Sequence, residues 1–212
     1  RDTSNAMKVK RIAKIIDTKK VKKGTEIYGQ SIEFKEVLPY SGTIKTPINY
    51  TDYTVEGDSV SFEGCDVMFS KFNPQFGNNI LVTNKNDKCV GSLELWGLEL
   101  DKNKVLPQYF IYAMSTKQII VSFSYLVTGA KLILDGNGRS RITPSQFYNL
   151  NIPVPDKKIQ QEIIDEIRNR LDTTQWHNDK ISELQSIIDI DLNRYVLHGY
   201  SDDLFQLPEE VR

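Results

Sequence analysis

The stretch Gly64-Cys-Asp-Val-Met-Phe-Ser-Lys-Phe-Asn-Pro74 and its continuation Gln75-Phe-Gly-Asn-Asn79 join a strand pattern to a polar loop. The short apolar run at 66–70 predicts a strand, and a second run at 80–83 predicts another. Between them, residues 73–79 are rich in Asn, Pro and Gly, a composition typical of loops. The sequence therefore predicts two strands joined by a loop that presents polar side chains.

Downstream, strand and helix patterns follow one another. Residues 90–100 alternate between apolar and polar or glycine positions, which predicts a strand. Pro107 suits the first position of a helix that we expect to reach about Val121. Thr143-Pro-Ser-Gln146 has the pattern of a capping box and predicts a short helix. Asn151-Ile-Pro-Val-Pro155 must be extended, because a proline disfavours helix in the residue before it, and it marks a domain boundary.

Residues 156–198 change to a helical period. Asp156 can cap the start and Gly199 can supply the left-handed stop. The apolar helical period is interrupted at 173–178, so that a continuous helix, a kinked helix and two helices all remain open. The expected fold class is α+β: a mixed α/β domain over 7–155, a long C-terminal helix over 156–198 and a tail over 199–212. Residues 1–6 resemble the remnant of a purification tag, which sets the expected native start at Met7.

Composition and residue types argue against several classes of protein. The chain is 39% hydrophobic and 26% charged, and no apolar run approaches the roughly 20 residues that span a bilayer. We expect a cytoplasmic protein without a membrane segment. Cys65 and Cys89 lack metal-ligand spacing, and neither His177 nor His198 has a nearby candidate nucleophile. The sequence predicts no metal, no cofactor and no catalytic residue.

Charge divides unevenly along the chain. Residues 7–155 hold 19 basic and 14 acidic side chains, whereas residues 156–212 hold 7 and 13. A moderately basic domain suits a polyanion, and an acidic helix suits a protein partner. A merely solvated surface explains so modest an excess equally well.

Several short blocks together resemble type I restriction-modification specificity subunits. They are the stretch 64–74 quoted above, Leu106-Pro-Gln-Tyr-Phe110, Gly138-Arg-Ser-Arg-Ile-Thr143 and Leu150-Asn-Ile-Pro-Val-Pro155 followed by Gln160-Gln161. Their order and spacing carry the resemblance. Two departures are an inserted residue between Gly64 and Asp66, and Asp156 where the family pattern has a second proline.

The resemblance implies a non-catalytic subunit that binds double-stranded DNA. Members of this family hold adenine methyltransferase subunits and a restriction (motor-nuclease) subunit and determine which DNA sequence is acted on. A complete member has two target recognition domains and two spacer helices that form an antiparallel coiled coil. This chain resembles half of one, with a single recognition domain and a single spacer helix.

Two loops carry the side chains that read bases and neutralise phosphates. The candidate DNA contacts are Lys71, Asn73, Gln75, Asn78 and Asn79 in the first loop, and Lys131, Asn137, Arg139 and Arg141 in the second. Tyr40-Ser-Gly-Thr-Ile-Lys45 is a weaker third candidate. The alternative for each Asn, Gly or Pro is an ordinary turn.

The long helix carries an apolar seam that no other predicted helix matches in length. Its members are Ile163, Ile167, Leu171, Ile181, Leu184, Ile188 and Leu192. We expect this seam to form a homodimer, because exposure of so many apolar side chains is costly. Two other arrangements stay open: the helix folds back on its own domain, or a methyltransferase subunit covers the seam.

Two other functions remain open at this point. The chain could be the C-terminal recognition domain of a fused restriction-methylation enzyme, or a helical protein-interaction adaptor that does not bind DNA.

Overall fold

The computed structural model describes residues 6–46, 48–84, 88–126, 128–129, 140–173 and 188 of the 212-residue chain. Several predicted site residues lie outside these described residues: Lys131, Asn137, Arg139, Ile181, Leu184 and Leu192. The predicted tail over 199–212 lies outside them as well.

Short strands make up most of the regular structure before the helices. The strands are β1 (Ala6–Lys8), β2 (Ala13–Ile16), β3 (Lys20–Val21), β4 (Glu26–Gly29), β5 (Ser31–Ile32), β6 (Val37–Leu38), β7 (Thr43–Ile44), β8 (Thr51–Thr54), β9 (Ser59–Ser61), β10 (Val67–Ser70), β11 (Ile80–Leu81), β12 (Val90–Ser92), β13 (Leu95–Leu100), β14 (Thr128–Gly129), β15 (Ser140–Arg141) and β16 (Asn151–Pro153). The α-helices are α1 (Pro107–Met114), α2 (Lys117–Leu126), α3 (Pro144–Asn149) and α4 (Lys157–Thr173), and 3-10 helices occupy Val9–Arg11, Phe34–Glu36 and Pro74–Phe76.

Two four-stranded sheets organise the domain. The first has the order β11-β10-β13-β2 and is antiparallel throughout. The second has the order β3-β9-β12-β5, in which only the β12–β5 pair is parallel. The pairs β1–β16, β4–β8, β6–β7 and β14–β15 form separate two-stranded ribbons. The expected mixture of sheet and helix is therefore confirmed.

Strand β10 lies between two apolar cores. Val67 and Phe69 belong to the larger cluster, which the helices cover, while Met68 belongs to a second cluster with residues of the other sheet. Adjacent side chains of a strand point to opposite faces, so a strand buried on both faces must be apolar at every position. This requirement explains the apolar run Val67–Phe69. Ser70, which is also buried, ends the strand with its N–H and its hydroxyl both hydrogen-bonded.

The strand predicted over 90–100 is two strands in different sheets. A turn at Leu93 and Glu94 separates β12 from β13, and the backbone N–H of Glu94 donates to Ser92 Oγ (3.1 Å). A serine hydroxyl that accepts from the residue two positions on stabilises such a turn. The alternation continues across the turn, so periodicity alone concealed it.

The helix predicted from Pro107 to about Val121 is interrupted in the same way. α1 ends at Met114 and α2 begins at Lys117. Ser115 Oγ donates to the Ile111 carbonyl (2.8 Å) and Thr116 Oγ1 to the Ala113 carbonyl (3.1 Å). Hydroxyls that bond to backbone one turn back compete with helix continuation, and here they accompany the break.

The short helix predicted at Thr143 is confirmed as α3. Thr143 Oγ1 accepts from the Gln146 backbone N–H, and Gln146 Oε1 accepts from the Thr143 backbone N–H (2.8 Å). Pro144 occupies the first helical position. Leu150 then leaves the helix and the chain enters β16, the extended segment that the prolines require.

The start of the C-terminal helix is fastened to the preceding domain. The buried amide of Gln160 accepts from the Leu106 backbone N–H (2.8 Å) and donates to the carbonyls of Lys104 and Pro155, each at 2.7 Å. Within the described residues, α4 covers 157–173 of the predicted 156–198 helix. The predicted boundary at 155 thus separates elements that share a core.

The first part of the apolar seam faces this core. Ile163 and Ile167 have no exposed surface and belong to the larger cluster, while Leu171 packs against it. Ile188 is also fully buried in that cluster. The outer face of α4 is polar, with Gln161, Glu162, Asp165, Arg168 and Asn169 exposed. The chain's own core thus covers Ile163, Ile167 and Ile188, as in the fold-back arrangement that the sequence left open, and the homodimer stays a prediction.

Three smaller observations complete the fold. Ala6, which the tag-remnant prediction included, is the first residue of β1 and pairs with Pro153. Cys65 and Cys89 are buried thiols. Among the described residues, no helix combines the length and the apolar character that crossing a bilayer requires.

Candidate nucleic-acid interface

The loop that follows β10, residues 71–79, is held by its own polar side chains. The backbone N–H of Ser70 donates to Asn79 Oδ1 (3.0 Å), and Ser70 Oγ donates to the Phe72 carbonyl (2.7 Å). These bonds satisfy backbone groups where the strand ladder ends, which burial would otherwise leave unpaired at a cost of about 1–3 kcal/mol each. The loop therefore has a defined conformation before any ligand binds.

Asn73 joins this loop to the segment around β15. Its Oδ1 accepts from both the backbone N–H and the Oγ of Ser140, each at 2.9 Å, and its own N–H donates to the Ser140 carbonyl (2.8 Å). Asn73 has a left-handed backbone (φ 44°), a region in which asparagine is several-fold enriched among non-glycine residues. A single buried side chain thus connects the two predicted contact loops.

The two segments also pair through their backbones. The N–H of Ile142 donates to the Lys71 carbonyl (3.0 Å), and Phe72 and Arg141 form an isolated antiparallel bridge. Among the described residues of the two segments, the basic side chains of Lys71 and Arg141 consequently project from a connected backbone.

A third segment, around Tyr40, supports the loop from beneath. Tyr40 Oη donates to the Gln75 carbonyl (3.1 Å), and the Tyr40 N–H donates to the Gly77 carbonyl (2.9 Å). Gly77 has φ 61°, and a Cβ at this position would overlap the Tyr40 ring, so only glycine fits. Burial raises the pKa of the Tyr40 hydroxyl, which stays protonated and serves as a donor. In the third candidate contact segment, residues 40–45, Tyr40 thus stabilises the loop 71–79.

The predicted amide contacts fall into two groups. Asn73 and Asn79 are buried (6% and 2% exposed), and their Oδ1 atoms are used inside the protein. Gln75 and Asn78 are partly exposed, like Lys71. Because a buried amide cannot reach a base edge, we leave Asn73 and Asn79 out of the candidate surface.

Arg141 is the most firmly positioned cation of the surface. Its Nε and Nη2 donate to the two carboxylate oxygens of Glu94 at 2.9 and 2.6 Å, and its guanidinium lies 5.6 Å from the centre of the Phe72 ring. The hydrogen bonds from Arg141, with a smaller effect of Lys71, lower the pKa of Glu94 despite its partial burial. The same pairing raises the pKa of Arg141. Both groups are therefore charged at neutral pH.

Glu94 and Phe72 were not predicted as site residues. Glu94 lies 47 positions from Arg141, in a turn that the sequence pattern presented as strand. Phe72 was an apolar residue of the predicted loop with no role assigned to it. No local signal connects either residue with Arg141; the register of the sheets brings them together.

An aromatic cluster underlies the surface. Phe69 of β10 lies 4.8 Å from Phe147 of α3 and 6.2 Å from both Trp96 of β13 and Phe123 of α2, measured between ring centroids. Each pair contributes about 0.5–1.5 kcal/mol beyond the area it buries. The cluster ties two helices to the strands from which the loops depart.

The exposed polar groups of this face are mainly hydrogen-bond donors. In the described parts of the chain, no three His, Cys, Asp or Glu side chains group to hold a metal ion. What the face offers is a fixed guanidinium, a neighbouring ammonium and partly exposed amides. These are the donors that phosphates and base edges accept from.

Fold and surface together define a mixed α/β binding domain with a basic loop face. The chain belongs to the family of type I restriction modification DNA specificity domains, whose family model matches residues 4–186. The blocks that suggested this resemblance lie inside the matched range, and the suggestion is confirmed.

Two solved structures share the fold. The HsdS subunit from Thermoanaerobacter tengcongensis superposes with a TM-score of 0.55 at 13% identity, over 96% of this chain and 51% of that one. A structure described as showing complex assembly and conformational transition of the type I R-M system gives 0.58 at 13% identity, with the same coverage. This chain thus spans about half the length of these structures. No curated protein sequence matches it.

Proposed function

We propose that this chain is the DNA-recognition part of a type I specificity subunit and that the face of Lys71, Gln75, Asn78 and Arg141 contacts double-stranded DNA. The observation that carries the proposal is the pair of basic residues on joined loop backbones, with the Arg141 side chain held by Glu94, in a domain of this family. The charge balance supports it: residues 102–155 hold six basic side chains and one acidic side chain. Lys131, Asn137 and Arg139 stay candidate contacts from the sequence.

Fluorescence anisotropy with duplex DNA at several salt concentrations tests this proposal. Replacing Lys71 by Ala should weaken binding and lower the slope of log K against log salt by roughly one unit, as loss of one phosphate contact does. Lys158→Ala is the matched control, because Lys158 is an exposed lysine of α4, outside the stretch 102–155 and in the acidic part of the chain. Equal affinities and slopes for the parent and both variants would remove this face from the account.

The chain itself is proposed to be non-catalytic, with adenine methyltransferase and motor-nuclease subunits as its partners. The family match and the fold shared with a structure of the type I R-M system support this assignment. The purified chain, given labelled S-adenosylmethionine and duplex DNA, should neither transfer methyl groups nor cut. Methyl transfer by the chain alone would contradict the proposal.

We further propose that two recognition domains pair through the spacer helix predicted over 156–198. The length of the structural neighbours, about twice this chain, supports a two-domain assembly. Ile163, Ile167 and Ile188 are buried within this chain, and Leu171 packs against the same core. The other seam residues, Ile181, Leu184 and Leu192, would therefore carry the contact. Light scattering should give a dimer that Leu184→Glu dissociates; a monomer at tens of micromolar would contradict pairing by this chain alone.

A further inference from the structure

Arg141 combines a rigid backbone with an exposed side chain. Its strand is bonded to the loop 71–79 on both sides, through Ser140 to Asn73 and through Ile142 to Lys71. The Arg141 side chain is nevertheless 54% exposed, whereas its partner Glu94 is 27% exposed. A long cation usually loses considerable rotamer freedom when it binds, and here the protein has restricted that freedom in advance.

Glu94 binds one edge of the Arg141 guanidinium and leaves another edge available to a ligand. Both hydrogen bonds use the Nε–Nη2 side, and Phe72 covers one face of the plane. The end formed by Nη1 and Nη2 is directed away from Glu94, because the guanidinium is planar and its donors form a fixed fork. Two parallel donors at that end match the O6 and N7 acceptors that guanine presents in the major groove.

The charge of Glu94 separates the two possible DNA ligands of Arg141. A carboxylate within 3 Å of the guanidinium cancels much of its net charge, and it would repel a phosphate placed beside it. The edge of guanine is uncharged and accepts hydrogen bonds without that repulsion. A carboxylate that orients an arginine therefore favours base reading, whereas Lys71, which has no such direct ion pair among the described residues, suits a phosphate.

We propose that Arg141 is a specificity-determining residue that reads one guanine through the major groove, and that Glu94 is the positioning residue that orients it. This inference rests on the proposed function and adds one element to the target: a G·C pair at a fixed position. Lys71 would place the neighbouring phosphate and contribute affinity without sequence preference.

Selection from a pool of duplexes with about 20 randomised base pairs, using the full chain, tests the inference. The parent should enrich a motif that contains an invariant G·C pair. Arg141→Ala should lose the preference at that pair by about 5- to 150-fold, the effect of one bidentate arginine–guanine contact. Arg141→Lys should lose less, because an ammonium still donates to guanine but lacks the planar fork. Arg141→Lys should keep the affinity for unrelated duplex and its salt dependence, since the charge remains.

Glu94→Gln distinguishes positioning from simple folding. It should weaken the preference at the same base pair while the other positions of the motif and the thermal midpoint stay near those of the parent. Arg170→Ala is the control, because Arg170 also pairs with a glutamate, Glu166, at similar exposure but on α4. It should leave the motif unchanged.

Three results would overturn the inference. If Arg141→Ala enriches the parent motif with full preference at every position, Arg141 does not read a base. If Glu94→Gln keeps the full preference, Glu94 does not position Arg141. If the parent chain enriches no motif at all, the proposed function fails, and the inference fails with it.

Discussion

Asparagines of the loop 71–79 differ in what their side chains do, although their sequence surroundings are alike. Asn73 and Asn79 replace missing strand partners and are buried, whereas Asn78 is partly exposed. Composition predicts that such a loop is polar, but it does not tell which amides turn inward. Burial and the positions of unpaired backbone N–H groups decide that.

Replacing Asn73 by Ala should lower the free energy of unfolding by about 1–3 kcal/mol, because it leaves the buried N–H and Oγ of Ser140 without their acceptor. The left-handed backbone at 73 adds to the loss, since alanine tolerates it poorly. Urea unfolding measures the change. Asn78→Ala is the matched control and should stay within about 0.5 kcal/mol of the parent. Equal stability of the two variants would refute the structural role of Asn73.

The Arg141–Glu94 pair predicts a titration. The pKa of Glu94 lies below its ordinary value because Arg141 donates to the carboxylate. The stability that the pair contributes is therefore fully present above the unfolded pKa and is lost as the pH falls through the lowered folded pKa. A carbon NMR titration should give Glu94 a depressed midpoint that rises in Arg141→Ala and stays in place in Arg170→Ala. A midpoint indifferent to Arg141→Ala would show that the pair does not form in solution.

At the scale of elements, the C-terminal helix shows the largest difference between the sequence-based prediction and the structure. Its apolar period is real, yet Ile163 and Ile167 pack on the helix's own domain, where Gln160 fastens the first turn. An apolar helical period predicts that one face of the helix is buried, but it does not identify the surface that buries it. The dimer predicted from the whole seam therefore depends on its later residues alone.

Truncating Ile167 to Ala should cost about 2–5 kcal/mol of unfolding free energy, as removal of a buried isoleucine side chain usually does. Arg168→Ala on the exposed face of α4 is the neighbouring control, with an expected change within about 0.5 kcal/mol. Both are measured by chemical denaturation at two protein concentrations. An Ile167→Ala variant as stable as Arg168→Ala would place Ile167 outside the core.

Elements with a local cause were predictable from the sequence, and those with a distant cause were not. The capping box at Thr143 and the run ending at Ser70 depend on neighbours in the chain, and both were confirmed. The breaks at Glu94 and Ser115 depend on tertiary packing, that is, on which sheet or core each segment joins. The apolar periodicity of the sequence therefore continues across both breaks and does not reveal them. For the same reason Arg141 was predicted as a contact while its partner Glu94 was not.

At the scale of the whole molecule, two sheets and the covering helices hold three chain segments together at one face. The ends of β10 and β15 and the support from Tyr40 meet there, above the aromatic cluster. Family membership assigns such a domain to DNA specificity, and the fold matches about half of larger structures. In the proposed role, the chain determines which DNA sequence is bound, and its effect is measured through the activity of the partner subunits.

The adenine methylome of the host, read at single-base resolution, tests this role most directly. The gene is deleted and then restored as the parent or as Arg141→Ala. The account predicts that at least one methylated motif disappears on deletion, returns with the parent gene, and is lost or loses its G·C requirement with Arg141→Ala. An unchanged set of methylated motifs in the deletion strain would contradict the claim that this chain determines where DNA is modified.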